Sequence, residues 1–395
     1  MEQKPTFEPE KWISWVQEHE NESVSELALR YAGQRNLPLK ALLAQVKGRQ
    51  IARLKLPTFY AHPGILYPDT LILEQCSSEE AADQKTHWST DKIVADLTGG
   101  LGIDTLAFSK TAKKVIYCEP DAVRCAAARH NFSILNIGNV EIQEGTAEET
   151  TPHLLDKTDI FYLDPSRRKE DGRKVFRIED LSPNILELKE RLLSRGATVL
   201  IKLAPMLDIR EGLRQLPETM RVEVISRKDE CRELLFHLSS SNDLPVVSCI
   251  DTGHPENTFT FQPEKEKTLP LPIGEPEKYL FEPNAAIRKA GPWRSLCEKF
   301  GLKMLHPNSH LFTGAQIKDN FPGRTFIIDE VLPYKKEKIQ EVLAGHSAQL
   351  VFYNFPVKSQ DVSKTLKIKS GEPNYLFFTA TESRRSVVLF TKRIK

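Results

Sequence analysis

From about residue 91 the chain alternates short apolar runs with helical stretches. IVADL, KVIYCE, VEIQEG, DIFYLD and ATVLIKLA read as strands; TLAFSKTA, AVRCAAARHNFSI and NILELKERLLS read as the helices between them. Apolar runs separated in this way are what a doubly wound, mostly parallel sheet with covered faces requires. RVEVIS and ELLFHLS then flank RKDECR, the pattern of an antiparallel hairpin. Parallel strands finished by such a hairpin are more particular than a generic α/β pattern.

The flanks read differently. Residues 1–90 carry apolar side chains at three- and four-residue spacing, as in SVSELALRYAGQRNLPLKALLAQVKGRQIARLK, and are expected to be helical. Ser77 and Glu80 in EQCSSEE have the spacing of a capping box opening a further helix. Residues 91–240 hold the alternating pattern, and 241–275, rich in Pro, Ser and Asn, read as a linker with some strand in TFTFQ. Two small α+β pieces follow, at 276–322 and 323–395.

Composition excludes several classes. The chain has 40% hydrophobic and 28% charged residues and a formal charge of +1, so it carries no global polyanion signal. No window approaches the roughly 20 apolar residues of a membrane helix. MEQKPTFEPEKW lacks a signal-peptide core, so a cytoplasmic location is expected. The six cysteines (Cys76, Cys118, Cys125, Cys231, Cys249, Cys297) form no C-x-x-C, which argues against zinc and against a disulfide framework. His306 and His310 have ligand-like spacing, but Pro307 between them spoils a helical pair, and no metal is expected.

The stretch VADLTGGLGIDT, residues 94–105, places an acid, three glycines and a helix start at the carboxyl end of the first strand. In an open α/β sheet ligands bind at that edge. A P-loop is excluded because no lysine follows the glycines, and the dinucleotide pattern lacks its third small residue, with Thr105 in that place. The spacing Asp96, Gly100, Gly102 suits S-adenosylmethionine, whose ammonium a nearby acid would accept. Glu119 ends the next strand, where a carboxylate is wanted for the ribose hydroxyls. Thr98, Gly99 and Asp104 complete the expected cofactor loop. Thr146, Ala147 and Glu148 follow the third strand, either as adenine contacts or as a solvated helix start. Gln75, Ser77 and Ser78 lie where they would either meet the methionine end or cap a helix.

DIFYLDPSRR sets Asp164 and Pro165 at the end of the fourth strand, the expected methyl-transfer position. Displacement from a sulfonium needs alignment of the nucleophile and exclusion of water. For a conjugated amine it also needs acceptors for the N–H groups, which a D-P-P-[YF] motif supplies. Ser166 and Arg167 depart from that motif. Arg167 and Arg168 would stack on a base or hold phosphate, or be solvated in a turn. Lys202, in VLIKLAP, is a further candidate.

KLPTFYAHPGILYP, LEQCSSE, DLTGGLGIDT, DPSRR and SRKDECREL, with FEPNAAIRKAG, HPNSHLFTG, FPGR and NFPVKSQDVSKTLKIKSG, run nearly end to end. With these strings the chain resembles class I S-adenosylmethionine-dependent methyltransferases, and more closely the bacterial THUMP-like methyltransferase family. The resemblance implies a Rossmann-like class I sheet ending in an antiparallel hairpin, preceded by a helical region. It also implies a ferredoxin-like piece at 276–322 and a THUMP-like domain at 323–395. THUMP domains elsewhere accompany RNA-modifying enzymes, so RNA (tRNA or rRNA), methylated at a base nitrogen, is the expected substrate.

Charge adds an independent indication. Residues 323–395 hold 13 Lys and Arg against 7 Asp and Glu. Arg324, Lys358, Lys364, Lys367, Lys369, Arg384 and Arg385 would form a basic face, with Tyr353 and Phe355 for stacking, or a merely solvated surface. An alternative within enzymes is a methyltransferase for protein or a small molecule; one in a different class is a non-catalytic RNA-binding protein with a relict cofactor fold. The intact acid–glycine–acid set argues against the latter.

Overall fold

The apolar runs become strands whose carboxyl ends share one edge. The computed structural model describes residues 9–34, 36–68, 73, 76–166, 177–241, 243–369, 371–383 and 386–394. The chain divides into two compact units, residues 1–220 with 235–242 and residues 221–234 with 243–395.

In the first unit, β1 (Ile93–Asp96), β2 (Lys114–Glu119), β3 (Val140–Glu144), β4 (Ile160–Leu163) and β5 (Thr198–Leu203) are all parallel. With β6 (Thr219–Arg227) and β7 (Glu230–Leu238) the order is β3-β2-β1-β4-β5-β7-β6. Lys228 and Asp229, both left-handed at φ 49° and 61°, form the two-residue turn between β6 and β7. A turn so short allows only antiparallel pairing, so the expected terminal hairpin is present. The boundary between the units runs through it.

Val94, Phe108, Val115, Ile160, Tyr162 and Leu200 make one apolar cluster of this sheet. Leu101, Ile103, Leu106, Tyr117 and Phe132 make another with Ala52, Leu56, Phe59 and Tyr67. The helix Leu39–Lys55 and the short helix Pro57–Ala61 thus pack against the glycine-loop side of the first unit. Burying each large apolar side chain there contributes about 1.5–3 kcal/mol.

The second unit holds two sheet segments. β8 (Val246–Asp251) pairs parallel to β6, and β9 (Phe259–Phe261) antiparallel to β8. Residues 241–275, expected to be a linker with some strand in TFTFQ, carry that strand as β9 and also the strand β8 and the helix Pro263–Thr268. The flanking Pro, Ser and Asn masked the alternation that buries Val247 and Cys249. A seven-stranded sheet follows, built from β10 (Tyr279–Pro283), β11 (Lys303–Met304), β12 (Phe312–Gly314), β13 (Gly323–Pro333), β14 (Gln349–Phe352), β15 (Asn374–Thr379) and β16 (Val387–Arg393). Its order is β11-β12-β10-β13-β16-β15-β14. Strand β10 pairs with β13, so the pieces expected at 276–322 and 323–395 share one sheet. Among the described residues no helix is long and apolar enough to cross a membrane.

Candidate active site

Parallel register sets Asp96 opposite Tyr117 on β2 and Tyr162 on β4, which brings Asp96, Glu119 and Asp164 out at the same edge. Between them the glycine loop turns sharply: Gly99 donates to the Cys118 carbonyl at 2.9 Å, and Gly102 to the Gly99 carbonyl at 2.8 Å. Gly100 and Gly102 are left-handed, at φ 54° and 77°, a conformation open to glycine. Close packing explains the other bare positions. A Cβ on Gly99 would lie 2.3 Å from the Tyr117 ring, and one on Gly102 2.8 Å from the Phe132 ring. At these two positions the missing side chain serves the protein's own aromatic packing, not only the approach of a ligand.

The acids differ from expectation in what they hold. Asp96, 1% exposed, turns both oxygens into the loop. Its Oδ1 accepts from the Thr98 N–H at 3.1 Å and the Thr98 hydroxyl at 3.4 Å, and its Oδ2 accepts from Thr105 at 2.6 Å. Burial pushes its carboxyl up to about 7, against the opposing pull of the Thr105 hydroxyl. It is first of all the internal brace of the loop. Glu119 accepts from Gly100 N–H at 3.0 Å through Oε2, and from Asp121 N–H at 3.0 Å and Arg124 at 3.1 Å through Oε1. A carboxylate offers about four lone-pair sites, so Glu119 retains capacity for a ribose hydroxyl.

Ser77 and Ser78 divide their tasks. The expected Ser77–Glu80 capping box does not form: Ser78, not Ser77, is the N-cap of the helix Glu79–Asp83, accepting from Ala81 N–H at 3.2 Å, and Glu80 is exposed. Ser77 is thereby free to donate to Asp104 Oδ2 at 3.1 Å and to accept from Lys202 Nζ at 2.9 Å. Lys202 reaches Asp164 Oδ2 at 2.6 Å, and the Asp164 N–H donates to Thr98 Oγ1 at 2.7 Å. Thr98 leads back to Asp96 and Thr105, and Thr105 adjoins Asp104 in the helix Ile103–Ser109. The result is a closed ring through Asp104, Ser77, Lys202, Asp164, Thr98, Asp96 and Thr105.

Beneath the ring lies Lys85, 0% exposed, with its Nζ 2.9 Å from Asp104 Oδ1. Tyr162 donates to Asp104 Oδ2 at 2.9 Å. Burial alone would raise the Asp104 carboxyl, but Lys85 and Lys202 outweigh it and hold the group well below the usual carboxylate range. Lys85, Tyr162 and Thr105 escaped sequence reasoning. Only Tyr162 carried a signal, as a polar tip within an apolar strand.

Other expected positions are less engaged. Thr146 forms a capping box with Glu149 at the helix Ala147–Leu154, so its hydroxyl and N–H serve the helix start rather than a ligand. Ala147 is buried beside it and Glu148 is exposed. Pro165 is buried and Ser166 pairs with Ser182 in an isolated bridge. Gln75 and Arg167, with Arg168, lie outside the described residues. His306 Nδ1 accepts from Asn308 N–H at 3.1 Å, and His310 stacks on Trp293 with centroids 4.6 Å apart. Among the described residues no His, Cys, Asp and Glu group has the makings of a metal site.

Acids rather than cations touch the glycine loop, through Asp96 and Glu119. That donor set would repel a pyrophosphate and suits a ribose joined to a cationic sulfur. The residues present therefore fit S-adenosylmethionine.

Known proteins agree with this reading. A model of a ferredoxin-like domain matches residues 279–322, and one described as THUMP domain-like matches residues 323–393. A Mycobacterium tuberculosis protein described as an uncharacterized S-adenosylmethionine-dependent methyltransferase is 24% identical over 307 residues, 76% of this chain and 81% of its own. An uncharacterized RNA methyltransferase of Enterococcus faecalis is 30% identical over 96 residues, 24% of this chain and 21% of its own. The crystal structure of a provisionally assigned methyltransferase from Porphyromonas gingivalis W83 superposes with a TM-score of 0.87 at 28% identity, covering 99% of this chain and 100% of that one. Sheet order, domain matches and long-range similarity converge: the chain is a class I S-adenosylmethionine-dependent methyltransferase with a ferredoxin-like and a THUMP-like domain in its C-terminal part.

Proposed function

We propose that this enzyme methylates a base nitrogen of structured RNA, a tRNA or rRNA. The observation that carries the RNA half is a set of lysines around the helix Ser359–Leu366. Lys358, Lys364, Lys367 and Lys369 are exposed and have no ion pair among the described residues. Such a set suits a phosphate backbone. Other members of the expected basic face are otherwise engaged: Arg324 pairs with the buried Glu282 at 2.6 Å, and Tyr353 donates to Glu282 at 2.9 Å. Phe355 packs among Tyr334, Phe352 and Phe378. Arg384 and Arg385 lie outside the described residues. The THUMP-like match and the RNA methyltransferase relative support the same substrate class.

For the chemistry, Asp164 stands at the carboxyl end of β4 with its side chain 36% exposed. Lys202 occupies Oδ2, leaving Oδ1 to accept an N–H of the target base. When bound, S-adenosylmethionine would supply an electrophilic methyl group, and the neutral thioether it leaves behind needs no protonation. Asp164 orients the nitrogen lone pair toward that methyl and takes up the nitrogen's proton as the N–C bond forms and the methyl–sulfur bond breaks, its electron pair leaving with the sulfur. Ser77, Asp96, Thr98, Gly99, Gly100, Gly102, Asp104 and Glu119 shape the donor pocket.

The test uses RNA purified from cells lacking this protein, incubated with the full chain and methyl-labelled S-adenosylmethionine. Label in one base-methylated nucleoside is the expected result. Label confined to protein or small molecules, or to ribose, refutes the proposal. Binding should also weaken steeply with salt, and Lys364→Glu with Lys367→Glu should flatten that slope by about 0.7–0.9 for each phosphate no longer neutralised.

A further inference from the structure

Lys202 is the one member of the ring that touches both the segment before the helix Glu79–Asp83, through Ser77, and the Asp164 carboxylate. Its side chain is only 12% exposed, which suits an internal strut better than a group that meets RNA. We propose that Lys202 is a positioning residue for methyl transfer, holding Asp164 in the orientation that accepts the nucleophile. This inference rests on the reading of Asp164 given above.

The physical reason is that, among the described residues, little else orients that carboxylate. Thr98 holds the Asp164 backbone N–H, which fixes the chain but leaves rotation of the side chain open. Lys202 pins Oδ2, and the charge-assisted bond at 2.6 Å is of the strong kind. Oδ1 is then directed by elimination. Ser77 carries the restraint onward to Asp104, in the first turn of the helix that follows the glycine loop. The acceptor for the nucleophile is thus referenced to the pocket that holds the methyl donor. Reactions that need in-line approach are sensitive to this, since a misplacement of about 1 Å costs on the order of 100-fold in rate.

The test measures methyl transfer to RNA from cells lacking the protein, with labelled S-adenosylmethionine, alongside calorimetric donor binding and melting temperature. Lys202→Met should lower kcat by about 30- to 100-fold while the donor Kd stays within about threefold. Lys202→Ala should regain about tenfold of the lost rate when ethylammonium is added, a rescue that a purely structural role would not produce. Should the lysine variants fail to fold, Ser77→Ala removes the hydroxyl between Lys202 and Asp104 without removing a charge. It should lower kcat by about three- to tenfold at unchanged donor Kd. Wild-type kcat in Lys202→Met, absence of amine rescue, or a loss of donor affinity equal to the loss in kcat overturns the proposal, as does wild-type kcat in Ser77→Ala if only that variant folds. Asp164→Ala separates the two readings. If it is inactive while Lys202→Met is unimpaired, only the role of Lys202 fails; if Asp164→Ala is itself fully active, the reading of Asp164 fails.

Discussion

The hydroxyl of Thr98, in the glycine loop, accepts the backbone N–H of Asp164, 66 residues away, at 2.7 Å. One side chain therefore joins the loop expected to hold the donor to the residue expected to hold the nucleophile. Thr98→Val keeps the shape and deletes the acceptor, leaving a part-buried N–H unpaired at a cost of about 1–3 kcal/mol. The expected outcome is a fall in kcat of about tenfold, with Thr98→Ser close to wild type. Equal turnover in the valine and serine variants would show that the link is dispensable.

The glycine loop is packed as well as bent. Gly99→Ala forces a methyl group into the Tyr117 ring, whose hydroxyl also donates to the Gly100 carbonyl at 2.7 Å. Overpacking of this kind costs about 1–3 kcal/mol, and displacing Tyr117 releases Gly100 as well. Chemical denaturation should show that loss, and donor affinity should fall with it. A Gly99→Ala protein with native stability and full donor binding would contradict the packing account.

If the donor lies beside Asp96, its binding should depend on pH. Its folded value of about 7 exceeds an ordinary unfolded carboxylate near 4, because burial penalises the charge. The folded state therefore binds the proton more tightly across that interval. The stability this contributes is complete below about pH 4 and lost as pH rises through about 7, amounting to about 4 kcal/mol. A cationic donor nearby favours the ionised form, so binding near pH 6.5 should release a proton. Calorimetry in buffers of different ionisation heat measures that release, which Asp96→Asn should abolish. No buffer dependence in the wild type would remove Asp96 from the donor's surroundings.

Lys85 and Asp104 form a buried ion pair at 2.9 Å. Removing only the lysine leaves a buried carboxylate, and such losses run to about 3–5 kcal/mol. Lys85→Met should therefore destabilise the protein strongly. Adding Asp104→Leu should recover part of that loss, although Ser77 and Tyr162 then lose an acceptor. Unfolding by denaturant measures both, and strictly additive losses would rule out the pairing.

Much of this was readable in the residues. The apolar runs ending in Asp96, Glu119 and Asp164 define the strand edge, and RKDECR marks the hairpin, because period and turn chemistry are local properties. The ring was not readable. Ser77 meets Asp104 across 27 residues and Lys202 across 125, and no spacing rule encodes such pairings. Lys85 looks like any polar helix residue until the fold buries it. Thr146, Ala147 and Glu148 read equally as adenine contacts or as a solvated helix start, and the Thr146 side chain caps that helix together with Glu149. The paired strand Val246–Asp251 lay inside an apparent linker because its neighbours are turn-forming residues.

The most direct measurement is a calorimetric titration of the full chain with S-adenosylhomocysteine, the demethylated donor, in parallel with Glu119→Ala and Asp164→Ala. Wild type should bind with measurable heat and a rise in melting temperature. Glu119→Ala should bind at least about tenfold more weakly, through loss of a charge-assisted ribose hydrogen bond and of the Gly100 brace, whereas Asp164→Ala should bind as wild type. Folded wild-type protein giving neither heat nor a melting shift would contradict the account at its base.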